Sequence, residues 1–188
     1  MIQKKKDKNS HMRDSSGTLI FKDYPDFKPN LTPREVILAG SFGGGYFRPI
    51  FSSITKKHYN NYHKKFGNLF DNIPSNLLTN ELYDKSINKY NVKCGSSLED
   101  WESKEWIIEQ NPYGWFEWYC GFYLGKRTND DDRQIKRWKG IAGDNGRFKK
   151  RLVNMIKNKK TTYDNYTISP VIRQTLLHWS YEISKNDI

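Results

Sequence analysis

The sequence predicts a mainly α fold: a single compact helical domain with an irregular first half and room for a small β-hairpin near residues 41 to 54. Three observations carry this. Helix-start signals recur along the chain, in LTPRE, GSSLED, NPYGW and SPVIR. Apolar residues in the last third repeat at helical spacing, as amphipathic helices require. Aromatics make up 15% of the 188 residues while all hydrophobics reach only 36%, so the core must be built largely from rings. That length suits one domain.

Residues 1 to 29 combine a lysine run with Asp, Ser and Pro, and read as a flexible basic arm. Residues 30 to 188 then form the domain. The first helix starts at Pro33, with Thr32 as N-cap, Glu35 completing a capping box and Gly40 as the stop. Gly43, Gly44 and Gly45 follow. Their spacing is neither a dinucleotide fingerprint nor a P-loop, so they read as a tight bend that lets Tyr46 and Phe47 pack inward. Residues 55 to 90 lack periodicity and predict short helices joined by turns. Ser97 and Asp100 start another short helix, with Trp101 and Trp106 expected in the core.

Asn111, Pro112 and Gly125 bound a helix over 112 to 124, on which Trp115, Trp118, Tyr119 and Phe122 share one sector. Its aromatics read as core rather than as an exposed stacking platform, which would need basic residues interleaved with the rings. Asp130, Asp131 and Asp132 fall on the first turn of the next helix, where the macrodipole favours negative charge. Consecutive helical residues diverge by about 100°, so the three carboxylates cannot converge alone on one ion. Ile135, Trp138 and Ile141 form the apolar stripe of that helix, and Arg133, Lys136 and Arg137 lie opposite. In the helix after Gly143, Phe148, Leu152, Met155 and Ile156 point one way and Arg147, Lys150, Arg151 and Lys157 another. Ser169 and Pro170 open a last helix, with Ile172, Leu176, Trp179 and Ile183 aligned to close the core.

Charge carries the functional reading. The formal net charge is +11 and the pI is near 9.5. Residues 126 to 160 hold thirteen Lys or Arg against four Asp, a net +9. Charge this concentrated is the footprint of a phosphate-backbone binder. The candidate nucleic-acid-binding residues are Lys126, Arg127, Arg133, Lys136, Arg137, Arg147, Lys150, Arg151 and Lys157. DNA is the preferred partner over RNA. An acidic protein partner is the rival for a structural or protein-interaction module, and oligomeric state is left open. A further alternative is an enzyme acting on phosphate esters or nucleic acid, centred on Asp130, Asp131 and Asp132 with Arg133 and Arg137.

No matched nucleophile and base, metal box or nucleotide fingerprint is present, so no catalytic residue, metal or cofactor is assigned. His58 and His63 lie five apart, off a single helical face. Cys94 and Cys120 are too few for a disulfide scaffold, which points to a reducing, intracellular compartment. There is no apolar run of 18 residues and no signal-peptide core at the N-terminus, so neither a membrane partner nor secretion is expected.

The stretches GSFGGGYFRPI, YDKSINKYNVKCGSSLEDWESKEWI, NPYGWFEWYCGFYLGKRTNDDDRQIKRWKGIAGDNGRF and SPVIRQTLLHWSYE together resemble an uncharacterised family found in large DNA viruses of amoebae and algae, and in fungi and plants. The resemblance covers most of residues 30 to 184. It implies an intact domain from about Thr32 to Ile183 and, for a viral member, a place in the host cytoplasm, viral factory or virion. It brings no activity or catalytic residues.

Overall fold

The computed structural model describes residues 12–188. Among these, seven α-helices and one two-stranded hairpin appear, so the chain is mainly helical: α1 (Pro33–Leu38), β1 (Ile50–Ser52), β2 (Lys57–Tyr59), α2 (Ser75–Leu78), α3 (Leu98–Ser103), α4 (Trp115–Tyr123), α5 (Asp131–Ala142), α6 (Arg147–Asn158) and α7 (Pro170–His178). Short 3-10 segments fill the first half between β2 and α3. No helix among the described residues is long and apolar enough to cross a membrane.

Local signals set α1 and α3. Thr32 and Glu35 make the reciprocal capping box that opens α1, and Ser97 Oγ accepts from the Asp100 N–H at the start of α3. The glycine bend is forced by close approach. Gly44 has φ +82, and a Cβ there would lie 1.9 Å from the Asn76 carbonyl oxygen. Beyond it Tyr46 and Phe47 are buried, as the sequence implies. The hairpin sits later than expected: Ile50 pairs with Tyr59 and Ser52 with Lys57, so it overlaps only the end of the 41 to 54 window.

The expected arm is corrected over its second part. Its first eleven residues lie outside the described ones, but Leu19, Phe21 and Phe27 are 1 to 2% exposed. The Phe27 ring centroid lies 5.1 Å from that of Trp138, 5.4 Å from Phe122 and 5.7 Å from Trp118. Asn30 and Glu182 exchange two hydrogen bonds, joining this segment to the chain's last turn. Leu19, Phe21 and Phe27, set among Asp, Ser, Lys and Pro residues, have no helical periodicity. They become core because α4 and α5 offer rings to meet them.

Helix α4 is buried almost all round. Trp118, Tyr119, Cys120 and Phe122 are each 3% exposed or less, so its rings are core and not platform. It begins at Trp115, three residues after the expected Pro112, because Gly114 adopts φ +85 and ψ −150 and cannot belong to a right-handed helix. In place of an Asn111 cap, the Glu117 carboxylate turns back and accepts from the Tyr113 N–H at 2.8 Å.

Glu117 itself is 1% exposed, is paired with Lys65, and accepts from the Tyr62 hydroxyl at 2.9 Å. Burial raises its pKa, with Lys65 opposing. Helix α5 runs where expected. So does α6, whose buried Leu152 and Ile156 pack toward α5 and α7. Helix α7 ends at His178, short of Trp179 and Ile183. The chain turns back there through Ser180, at φ +55, whose carbonyl accepts from the Asn30 and Leu31 N–H groups.

Candidate nucleic-acid interface

The outer face of α6 is the most coherent basic surface. At about 100° per residue, Arg147, Lys150, Arg151 and Lys157 fall within an arc of about 120° opposite Leu152 and Ile156. All four are exposed. None has an ion pair among the described residues; Arg147 leans over the Phe148 ring at 4.8 Å. By contrast Lys149, on the inner flank of α6, is taken up by Asp144 and Asp187 at 3.2 and 2.9 Å.

The other candidates do not form an equivalent face. Arg127 is a tie within the fold: it grips both carboxylate oxygens of Asp23, donates to the Phe122 and Lys126 carbonyls, and stacks 3.8 Å from the Phe122 centroid. Arg133 makes a two-pronged pair with Asp130. Arg137 is half-buried and donates to the Trp106 carbonyl at 3.3 Å and to Gln134 Oε1 at 2.9 Å. Only Lys136 of the α5 set is exposed. Lys126 is exposed too, beside Lys65 and Glu117 and away from α6.

The acidic run starts α5 as expected, and Asp132 is exposed, yet the other two side chains are not solvated. Asp130 is 7% exposed and Asp131 1%. Asp131 accepts from Trp118 Nε1 at 2.8 Å, Thr128 Oγ1 at 2.8 Å and the Thr128 N–H at 3.0 Å. Asp130 accepts from Arg133 and from Gln134 Nε2. The dipole reading therefore holds for the backbone position but misses the partners. Trp118 and Thr128 are thirteen and three residues away, and only the crossing of α4 with α5 brings the indole N–H to the carboxylate.

Beside α6 lies a cleft of about 660 Å³ between the segment 95 to 116 and helices α5, α6 and α7. Trp101, Trp106, Trp115, Phe148 and Trp179 line it, with Lys136, Arg137 and Arg147, and none of its lining residues is acidic. Trp106, expected in the core, is 43% exposed. Trp101 is also only partly buried. The α3 helix is too short to carry both indoles inward.

A neighbouring hollow of about 510 Å³ shares Trp101, Gly95 and His178 and contains Cys94. His178 Nε2 meets the Ser41 carbonyl oxygen at 2.5 Å, so that nitrogen carries the proton, and Cys94 Sγ lies 3.6 Å from Nε2 and 3.9 Å from Nδ1. Burial lowers the His178 pKa to about 4 and raises the Cys94 thiol to about 11. At neutral pH the pair is a thiol beside a neutral imidazole, without the thiolate that nucleophilic cysteine chemistry uses.

Comparison was made with protein-family models, curated proteins and solved structures. The chain matches none of them.

Proposed function

We propose that this protein is a noncatalytic nucleic-acid-binding protein that holds phosphates on the outer face of α6, working as one helical domain. The observation that carries the reading is four exposed cations, Arg147, Lys150, Arg151 and Lys157, on one arc with no carboxylate partner among the described residues. Flexible point charges on a helix face suit phosphates and carry no base code. Lys136 extends the surface across the turn. DNA is the expected partner, and the resemblance to a viral family suggests work in a viral factory or virion. The enzyme alternative loses support because the carboxylates of Asp130 and Asp131 are already saturated by donors of the fold.

The test is a salt series of anisotropy titrations of the full chain against two unrelated duplexes and an acidic polypeptide. Binding that weakens steeply with salt and equally for both duplexes is expected. Absence of duplex binding at low salt rejects the reading. Tighter binding to the acidic polypeptide turns the same face toward a protein partner.

A further inference from the structure

The cleft beside α6 combines three features that the folding of the chain does not explain. First, Trp106 leaves 43% of its surface in solvent at a cleft that other rings also line, with the Lys104 ammonium 5.1 Å from its ring centroid, although an indole gains most by burial. Second, Arg137 is half-buried, yet both of its hydrogen bonds run through Nη1 to neutral oxygens, and no carboxylate among the described residues pairs with it. Burial and then the nearby Arg133 charge pull its pKa down, with the Asp130 charge opposing. Third, Lys136 and Arg147 line the same cleft, and no acidic side chain does.

A volume of about 660 Å³ accommodates a ligand of nucleotide size. Rings call for a flat apolar partner, and three cations call for an anion attached to it. A nucleobase with its flanking phosphate supplies both. A base stacked and paired within a duplex cannot enter; an unpaired one can.

We propose that this cleft is the seat of an unpaired nucleobase, stacked against Trp106, with its flanking phosphate met by Arg137, Arg147 and Lys136. The inference rests on the reading of α6 as a phosphate-binding face and adds strandedness to it. A strand lying along Lys157, Lys150 and Arg147 arrives at the mouth of the cleft, because Arg147 belongs to both surfaces. The seat then gives a single strand a contact that a duplex lacks.

The experiment uses the full chain and titrates a labelled single strand, the duplex of the same sequence and a free nucleoside monophosphate. Wild type is compared with Trp106→Ala, Trp106→Phe and the triple variant Lys150→Gln, Arg151→Gln, Lys157→Gln. Loss of one stacked base weakens binding on the order of tenfold. Trp106→Ala is expected to lose that much for the single strand and nothing for the duplex, while Trp106→Phe recovers most of it.

The triple variant is expected to weaken both. If Trp106→Ala binds the single strand as wild type does, the base seat is overturned and the α6 reading survives. Loss in Trp106→Ala without recovery in Trp106→Phe marks damage to the fold and also overturns the seat. If the triple variant changes nothing while Trp106→Ala does, the α6 reading falls and the seat stands alone. Quenching of tryptophan fluorescence by the monophosphate, absent in Trp106→Ala with strand affinity unchanged, overturns the strand as the source of the base.

Discussion

Helices α5 and α6 are consecutive, each twelve residues long, and similarly rich in Lys and Arg, yet they use these residues in opposite ways. On α5, Arg133 is held by Asp130, Lys139 by Asp26, and Arg137 by a carbonyl and a glutamine. On α6 only Lys149 is paired among the described residues, and Arg147, Lys150, Arg151 and Lys157 face solvent. The difference lies in what crosses each helix. Residues 12 to 29 bring Asp26 to Lys139, the segment after α3 brings the Trp106 carbonyl to Arg137, and Asp130 and Gln134 at the start of α5 hold Arg133 and Arg137, whereas the outer face of α6 has no such partner among the described residues. Charge count alone therefore overstates the α5 contribution to a phosphate-binding surface.

The comparison breaks most readily at the contact that encloses α5. Phe27 is 1% exposed and meets Trp138 of α5 edge-on. Phe27→Ala is expected to destabilise by about 3 to 5 kcal/mol, the usual cost of an aromatic cavity, measured by urea unfolding. Next is Asp131→Ala, which strands the Trp118 and Thr128 donors. A loss of about 3 kcal/mol is expected, since hydrogen bonds to a charged group are worth about 1.5 to 3 kcal/mol each and relaxation recovers part. A loss below about 1 kcal/mol would mean that Asp131 acts only through the helix dipole.

His178, at the end of α7, adds a pH dependence of up to about 3 kcal/mol. Below about pH 6.5 the unfolded chain protonates this imidazole, and the folded chain refuses the proton until about pH 4. Stability falls as pH is lowered through that window and is level above it, as far as this group contributes. Unfolding curves for His178→Gln are expected to lack that part of the slope. Smaller still is the stability contrast between the two basic sets. Arg133→Gln with Arg137→Gln should cost about 1 to 2 kcal/mol, because Asp130 loses its partner in a nearly buried site. Lys150→Gln with Arg151→Gln should stay within about 0.5 kcal/mol, as exposed substitutions do. Equal losses would erase the distinction between the helices.

Much of this was legible locally. The capping box at Thr32, the bend before Tyr46, the start of α5 and the two faces of α6 each depend on residues within a turn or two. What the sequence hid was non-local. Leu19, Phe21 and Phe27 look like sparse apolar residues in a polar arm until α4 supplies their partners. Arg127 reads as a free cation until Asp23, 104 residues away in the chain, is placed beside it. Trp106 reads as core because nothing nearby shows that α3 ends before it is covered. The α6 candidates survive because an amphipathic helix reports its own solvent face.

The central claim is that the free cations of α6, and not the engaged ones of α5, meet the phosphates of a duplex. The most direct test is the slope of log affinity against log salt for one duplex, with variants confirmed folded by circular dichroism. Replacing Lys150, Arg151 and Lys157 by Gln is expected to lower the slope by about two to three units, since each phosphate contact on duplex DNA contributes about 0.9. Replacing Arg133 and Arg137 by Gln is expected to leave it within about half a unit of wild type. An unchanged slope in the α6 variant, or an equal fall in the α5 variant, would contradict the account.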